Sequence, residues 1–210
     1  MIYKGFVFDL DGTLVHARPA YRYKIFKKVS QELGILVSDE FIEKFWYEPD
    51  RAGLISAHLK MDPQAFWAVY RRLETQDFRR KYTEPYPDVG FLKELKKKGM
   101  QIGVVTGVPP YIAEVELGLL DGITFDSVVI ANPVCGTECK PDPKCLETCL
   151  TEMRVQKYES VMVGNSAEDI LTARNAGVLD ILVERGEYPC NIKPTITVNS
   201  LYEIGDALHI

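Results

Sequence analysis

Two aspartates stand two residues apart, directly after an apolar run near the start of the chain. Asp9 and Asp11 follow the β-type run Ile2–Phe8, and side chains at positions i and i+2 of a strand point to the same side. Gly12 then allows a sharp turn, and Thr13 offers a hydroxyl there. Two carboxylates held this close require a cation, a shared proton or both. One carboxylate can attack as a nucleophile while the other moves protons, and Mg²⁺ can hold the pair together with a phosphate.

Polar residues also follow three later apolar segments of strand type. They are Thr106 with Gly107, Lys140, and Asn165 with Asp169. Thr106 and nearby main-chain N–H groups can hold phosphoryl oxygens, and Lys140 can neutralise their charge. Taken singly, these residues could be a strand end, a solvated lysine and a helix cap. Their order at successive strand ends, where parallel sheets bind ligands, favours an active site instead.

Helix and strand patterns alternate along the second part of the chain. Helices are predicted over residues 88–98, 110–120, 143–153, 168–176 and 200–208, and strands over 101–106, 125–131, 160–163, 179–183 and 195–198. Such alternation is typical of an α/β fold with a doubly wound, Rossmann-like parallel sheet. We therefore expect an α/β core made of residues 1–14 and 86–210.

Residues 15–85 show helical patterns and no strand pattern, so they predict an inserted all-helical domain. Helices are expected over 19–34 and from Ser38 to Tyr47, a short one over 54–59, and a further one that begins at Asp62 and Pro63.

Composition narrows the possible partners. The chain has 210 residues, 46% of them hydrophobic, and 25 basic against 30 acidic residues give a net charge of −5. This balance offers no basic surface for nucleic acid, and no segment reaches the roughly 20 apolar residues of a membrane span. The amino terminus lacks a signal-peptide pattern, so we expect a cytoplasmic protein, either a monomer or a homodimer.

Five cysteines lie in the second half of the chain, namely Cys135, Cys139, Cys145, Cys149 and Cys190. The spacing of the first four differs from the close pairs of a zinc site. We interpret them as buried small apolar residues, with a disulfide or a metal site as the alternatives.

The motifs resemble, in order, those of the haloacid dehalogenase-like hydrolase superfamily, and their spacing is most similar to its phosphoglycolate phosphatase branch. They are Asp9-x-Asp11-Gly12-Thr13, Thr106, Lys140, and Gly164-Asn165-Ser166-x-x-Asp169. The helical insert resembles the mobile helical cap of that family. The resemblance implies a phosphatase that hydrolyses a small phosphorylated metabolite with Mg²⁺ as cofactor.

The resemblance also implies roles for single residues. Asp9 would attack phosphorus and form an aspartyl-phosphate, and Asp11 would act as general acid and base. Lys140 would be catalytic and would bind the phosphoryl group together with Gly12, Thr13, Thr106 and Gly107. Mg²⁺ would lie on Asp9, the Asp11 carbonyl and the fourth motif, Asn165 and Asp169.

One motif position departs from the family pattern, because Asn165 stands where an aspartate is usual. The site thereby loses one negative charge, and we expect weaker Mg²⁺ binding. Arg51, in the segment 48–53 of the insert, is a candidate for binding a carboxylate or second phosphate of the substrate, with a surface arginine as the alternative.

Other activities remain open at this point. Asp11 disfavours a dehalogenase, because a halide leaving group needs no proton. A phosphonate hydrolase would need a cap lysine that forms a Schiff base. A mutase of the β-phosphoglucomutase type keeps both aspartates, and Asn165 favours a weakly active protein that binds a phosphorylated ligand.

Overall fold

The computed structural model describes residues 3–48, 50–132, 135–187 and 190–210, and the chain forms two compact units. Met1–His16 together with Glu84–Ile210 make the core unit, and Ala17–Thr83 make the helical unit. Two residues of predicted segments, Ile2 and Pro49, lie outside the described residues.

The strands, in chain order, are β1 (Gly5–Phe8), β2 (Val15–Ala17), β3 (Thr83–Pro85), β4 (Gln101–Thr106), β5 (Ser127–Ile130), β6 (Ser160–Gly164), β7 (Leu179–Val183) and β8 (Ile196–Val198). Six of them form a parallel sheet in the order β5-β4-β1-β6-β7-β8. Strand β1 therefore lies between β4 and β6, with Phe6 opposite Ile102 and Val161. This arrangement confirms the predicted doubly wound α/β core.

The helices of the helical unit are α1 (Ala20–Leu33), α2 (Asp39–Tyr47), α3 (Arg51–Leu54), α4 (Pro63–Leu73) and α5 (Gln76–Tyr82), with a π-helical turn over Ile55–Leu59. Those of the core unit are α6 (Gly90–Lys97), α7 (Pro110–Leu117), α8 (Lys144–Met153), α9 (Ala167–Ala176) and α10 (Glu203–Leu208), with a 3₁₀ turn over Lys157–Glu159. No helix in the described part of the chain is long and apolar enough to cross a membrane.

Both faces of the sheet are covered by helices, so side chains on both sides of β1 are buried. Phe6 and Phe8 pack on one face with residues of α6 and α10, such as Leu92 and Ile204. Val7 packs on the other face with residues of α8 and α9. A strand buried on both faces reads as a continuous apolar run, which is why β1 was recognisable in the sequence.

The helical unit has an aromatic core centred on Phe26. The rings of Phe41, Phe45, Phe66 and Tyr70 lie 4.9–6.2 Å from the ring of Phe26, several of them edge to face. Such pairs stabilise a core beyond the area that they bury. The predicted caps of two of these helices are present, since the Ser38 and Asp62 side chains accept hydrogen bonds from the first turns of α2 and α4.

The expectation of no strand within residues 15–85 is wrong. Strands β2 and β3, at the two ends of that range, form a separate two-stranded sheet. Each has three residues, and so short a segment cannot display the alternation by which a strand is recognised. Helix α5 was not predicted either, although its N-cap Thr75 accepts a hydrogen bond from Phe78 N.

Candidate active site

Asp9 lies at the carboxyl end of the central strand β1. Its main-chain N–H donates to Val163 O at 2.9 Å, so it continues the sheet pairing with β6. The Thr13 hydroxyl donates to Asp9 Oδ2 at 2.9 Å, and Asp9 is only 5% exposed. Gly12 has a φ of +86°, and a Cβ atom at this position would collide with the Asn165 side chain. The turn after Asp9 therefore requires glycine for its backbone angle and for space.

Lys140 bridges two buried carboxylates. Its Nζ donates to Asp9 Oδ1 at 2.7 Å and to Asp169 Oδ1 at 2.6 Å. Burial raises the pKa of Asp9 to about 6, an effect that the charge of Lys140 opposes and that of Asp169 reinforces. Burial alone would lower the pKa of Lys140, but the charges of Asp169 and Asp9 raise it above its usual range. The ammonium group is thus held in its charged form between the two acids.

Asp169 is fixed by the first turn of α9. The Ser166 main-chain N and hydroxyl donate to Asp169 Oδ2 at 3.1 and 2.7 Å, while the Ser166 hydroxyl accepts from Asp169 N. This reciprocal arrangement is a capping box, and it satisfies two donors at the start of the helix. A Cβ atom at Gly164 would overlap the Asp169 side chain, so the end of β6 needs glycine here.

Asn165 is buried beside the turn at Gly12. Its Oδ1 lies 3.4 Å from the Thr13 hydroxyl, and its Nδ2 has no hydrogen-bond partner. The hydroxyl has one proton, which it donates to Asp9. A half-turn of the amide would let Nδ2 donate to that hydroxyl and would turn Oδ1 toward the position that Nδ2 now occupies. Either way, one polar atom of Asn165 is left available for a further group.

The donors at this edge of the sheet fit a hard cation. Asp9 and Asp169 supply carboxylates, and Asn165 supplies the amide with an unused polar atom. Within the described residues, no group of three or more histidine, cysteine, aspartate or glutamate side chains is suited to a metal. Mg²⁺ commonly binds through one or two carboxylates, keeps water molecules and contacts substrate phosphates, so two carboxylates with an amide suffice.

Thr106 is the last residue of β4, the strand next to β1. It is fully buried, and its hydroxyl accepts from Val108 N at 3.3 Å. The carbonyl of the following Gly107 accepts from the Asn132 side chain at 2.9 Å. Since Val104 pairs with Phe8, Thr106 lies at the same edge of the sheet as Asp9. Asn132 was not predicted, because an isolated asparagine in a loop carries no recognisable signal.

Asp11 is half-buried and is held in the turn by an isolated bridge with Val15. Burial, followed by the negative charges of Glu187 and Asp11, raises the pKa of the Tyr86 hydroxyl. The negative charge of Asp11 is thus felt at the Tyr86 hydroxyl. Unlike Asp9, Asp11 retains access to solvent, which suits a group that exchanges protons.

Arg51 lies in the helical unit at the start of α3. Its Nε donates to Phe45 O at 3.2 Å and its Nη2 to Trp46 O at 3.0 Å. These are carbonyls of the last turn of α2, where cations are favourable. The contacts give Arg51 a structural role, and its contact with substrate stays a prediction.

Comparisons with known proteins are consistent with this geometry. The sequence profile of the haloacid dehalogenase-like hydrolases matches residues 6–183. Pyrophosphatase PpaX of Halalkalibacterium halodurans is 28% identical to the chain, over 97% of the chain and 96% of the relative. Phosphoglycolate phosphatase of Rhodospirillum rubrum is also 28% identical, over 87% and 80%. The structure of a HAD phosphatase from Thermococcus onnurineus, 26% identical, superimposes with a TM-score of 0.72 over 98% of this chain and 97% of that one.

Proposed function

Because this chain belongs to the haloacid dehalogenase-like hydrolases, we propose that it is a magnesium-dependent phosphatase acting through an aspartyl-phosphate on Asp9. Its enzyme class is that of a phosphoric monoester hydrolase. The observation that carries the proposal is the buried group formed by Asp9, Lys140 and Asp169, with Thr13 bonded to the second oxygen of Asp9. A carboxylate whose two oxygens each accept a hydrogen bond is held in a fixed orientation, which favours its attack as a nucleophile.

In the first step, an oxygen of Asp9 attacks phosphorus. A bond forms between that oxygen and phosphorus, and the bond from phosphorus to the alcohol oxygen breaks. Asp11, half-buried and within reach of solvent, donates its proton to the departing oxygen. Lys140 already neutralises the nucleophile, and its charge also stabilises the negative charge of the transferring phosphoryl group.

In the second step, water releases the phosphate. Asp11, now a carboxylate, takes a proton from a water molecule that attacks phosphorus. The bond between phosphorus and the Asp9 oxygen breaks, which regenerates the free Asp9 carboxylate and leaves Asp11 protonated for the next cycle. Thr106 and Gly107, at the end of β4, would bind the remaining phosphoryl oxygens, because the N–H groups of Gly12 and Thr13 already donate within their own turn, to Val15 O at 2.7 Å and Leu10 O at 3.2 Å.

Mg²⁺ would be held by Asp9, the Asp11 carbonyl, Asn165 and Asp169. When bound, it neutralises the charge of the phosphate and of the carboxylates, which allows the two anions to approach.

For the substrate we propose a small phosphomonoester of the phosphoglycolate type. The similarity to the Rhodospirillum rubrum phosphoglycolate phosphatase supports it, and the helical unit, Ala17–Thr83, would serve as the cap that selects it. Inorganic pyrophosphate is the second candidate, because several similar relatives are named pyrophosphatase PpaX. Both substrates present a phosphate next to a second anionic group.

The test is phosphate release from a panel that contains 2-phosphoglycolate, pyrophosphate, sugar phosphates, nucleotides and an aryl phosphate, with and without Mg²⁺. The Asp9→Asn variant is the matched control. We expect turnover that needs Mg²⁺ and vanishes in the variant, and the preferred panel member identifies the substrate class. Release that persists in Asp9→Asn would refute the mechanism, and a phosphorylated protein that accumulates without release would indicate a mutase.

A further inference from the structure

Arg185 connects three separate segments of the core unit. It lies two residues after β7, and its guanidinium forms a two-pronged ion pair with Asp88, Nη1 to Oδ2 at 2.8 Å and Nη2 to Oδ1 at 3.0 Å. The same Nη2 also donates to the main-chain carbonyl of Thr13 at 2.8 Å. Thr13 is the residue whose hydroxyl orients Asp9. One side chain therefore joins the end of β7 to the turn that carries the nucleophile.

Both members of the Arg185–Asp88 ion pair have further contacts that fix their positions. Asp88 also accepts from Leu201 N at 2.8 Å and from the Ser200 hydroxyl at 3.1 Å, so it cannot move freely. The Arg185 guanidinium lies 3.9 Å from the centre of the Tyr86 ring. Such a contact of a cation with an aromatic face adds to the binding of the guanidinium.

A second bond holds the next carbonyl of the same turn. Tyr86 N donates to Leu14 O at 2.9 Å. Arg185 thus binds the Thr13 carbonyl, and Tyr86, on whose ring Arg185 stacks, binds the next carbonyl, that of Leu14. The turn between Asp9 and β2 is fixed from outside as well as by its own hydrogen bonds.

We propose that Arg185, held by Asp88, is a positioning residue that sets the orientation of the Asp9 nucleophile through Thr13. The inference rests on the proposed function. The side chains of Arg185 and Asp88 are 8% and 9% exposed, so water competes little for their bonds. Without the guanidinium, the Thr13 carbonyl loses its donor and the Thr13 hydroxyl loses its fixed position 2.9 Å from Asp9.

The core unit contains a chemically similar control, in which the arginine side chain is 39% exposed instead of 8%. Arg174 forms a similar two-pronged pair with Asp180, 3.3 Å on each prong, and also donates to the Lys193 carbonyl. Asp180 accepts in addition from the main-chain N and hydroxyl of Thr195. This second network has the same chemistry but binds the segment before β8 rather than the turn after Asp9.

The experiment compares kcat and KM for the best panel substrate in Arg185→Met, Arg185→Lys, Asp88→Asn and the control Arg174→Met, each normalised to its folded fraction. We expect kcat to fall about 10- to 100-fold in Arg185→Met with KM changed less than about 3-fold, since a misplaced nucleophile slows chemistry more than binding. Arg185→Lys should retain part of the rate, and Arg174→Met should stay within about 2-fold of the wild type. The double variant Arg185→Met with Asp88→Asn should be no slower than Arg185→Met alone.

Equal kcat losses in Arg185→Met and Arg174→Met would overturn the inference, because they would indicate only general destabilisation. A rise in KM with unchanged kcat would overturn it too, since it would assign Arg185 to substrate binding. If Arg185→Met does not fold, the conservative Arg185→Lys and Asp88→Asn variants decide the question by the same criteria.

Amide hydrogen exchange separates this inference from the proposed function. Peptides that cover residues 9–15 should exchange faster in Arg185→Met than in the wild type, and should not change in Arg174→Met. Faster exchange without phosphatase activity in the wild type would refute the proposed function and retain the connection from Arg185 to Thr13. Unchanged exchange in an active enzyme would refute the inference alone.

Discussion

Each unit of the chain buries a cluster of charged side chains, and the two clusters are built differently. In the core unit, two carboxylates, of Asp9 and Asp169, share the single ammonium group of Lys140. The amide of Asn165 beside them has an unbonded nitrogen. This cluster has an excess of negative charge and an unused polar atom.

The cluster of the helical unit contains Tyr21, Glu74 and Arg79. The Tyr21 hydroxyl donates to Glu74, and the Arg79 guanidinium lies 4.9 Å from the Tyr21 ring and 4.0 Å from Glu74. Arg79 is 3% exposed and Glu74 8%, so this cluster is as deeply buried as the first. One acid is matched by one base, and burial, the first of several causes, raises the pKa of Tyr21 so that it stays neutral.

The comparison shows that buried charge alone does not identify an active site. Both clusters are shielded from water, but the core cluster places two carboxylates together, and the pKa of one of them, Asp9, is raised to about 6. Such an arrangement is costly to fold and therefore indicates a function in catalysis or ligand binding. The cluster of the helical unit is balanced, which fits a role in stability.

The largest expected contrast is between Asp9→Asn and Glu74→Gln. The first should lower kcat by about 1,000-fold or more, because an amide is a poor nucleophile, and it should leave stability unchanged or improved since a buried charge is removed. The second should change kcat per folded molecule by less than about 3-fold and lower stability instead. Phosphate release together with urea unfolding measures both effects. A large kcat loss in both variants would contradict the assignment of catalysis to the core cluster and of stability to the cluster of the helical unit.

Lys140→Met should affect activity and stability together. The loss of the ammonium group that bridges Asp9 and Asp169 should lower kcat by about 100-fold and destabilise the metal-free protein by about 3 kcal/mol at pH 7.

The destabilisation by Lys140→Met should depend on pH in a definite direction. The pKa of Asp9 is raised above its unfolded value by burial, and it rises further without Lys140. The ionised form is then the destabilising one, so the variant recovers stability as the pH falls from 7 to 5. Urea unfolding in EDTA at the two pH values checks this, with the wild type as reference. A variant that loses further stability at pH 5, relative to the wild type, would contradict it.

Arg79→Met should be a pure stability variant. It removes the buried cation that lies 4.0 Å from the Glu74 carboxylate, which should cost about 3 kcal/mol, and it should leave kcat per folded molecule within about 3-fold. Thermal unfolding and phosphate release on the same preparation measure the two quantities. A kcat loss beyond about 10-fold at full folding would show that the helical cluster also serves catalysis.

Much of the core unit could be predicted from the sequence because its signals are local. Strand β1 reads as an apolar run, and Asp9, Lys140 and Asp169 follow strands along the chain. The structure brings these three side chains into contact, and their catalytic and metal-binding roles stay predictions. The family and the enzyme class were recognised from the same motifs and are confirmed. The cysteine interpretation holds for Cys145 and Cys149, which are buried free thiols, and is wrong for Cys135 and Cys139, which are exposed free thiols.

What the sequence could not reveal depends on contacts between distant segments. The pair formed by Arg185 and Asp88 joins residues 97 positions apart, and neither residue lies in a recognisable motif. The contacts of Arg51 with carbonyls of α2 depend on the path of the chain between α2 and α3, which no local pattern fixes. Strands β2 and β3 pair only with each other, although they lie at opposite ends of residues 15–85 in the sequence. Neither strand can therefore be recognised from its own residues.

The smallest predicted effect concerns Asn165, the residue that limits the negative charge of the core cluster. Asn165→Asp should lower the Mg²⁺ concentration for half-maximal activity by about 3- to 10-fold, because a negatively charged carboxylate replaces the neutral amide with its unbonded nitrogen. The same change adds a third carboxylate beside Asp9, so the metal-free variant should unfold at a lower temperature than the wild type and be stabilised more by added Mg²⁺. Thermal unfolding against Mg²⁺ concentration measures this without any substrate. A metal requirement that stays equal or rises would mean that Asp169, rather than Asn165, sets the affinity of the site.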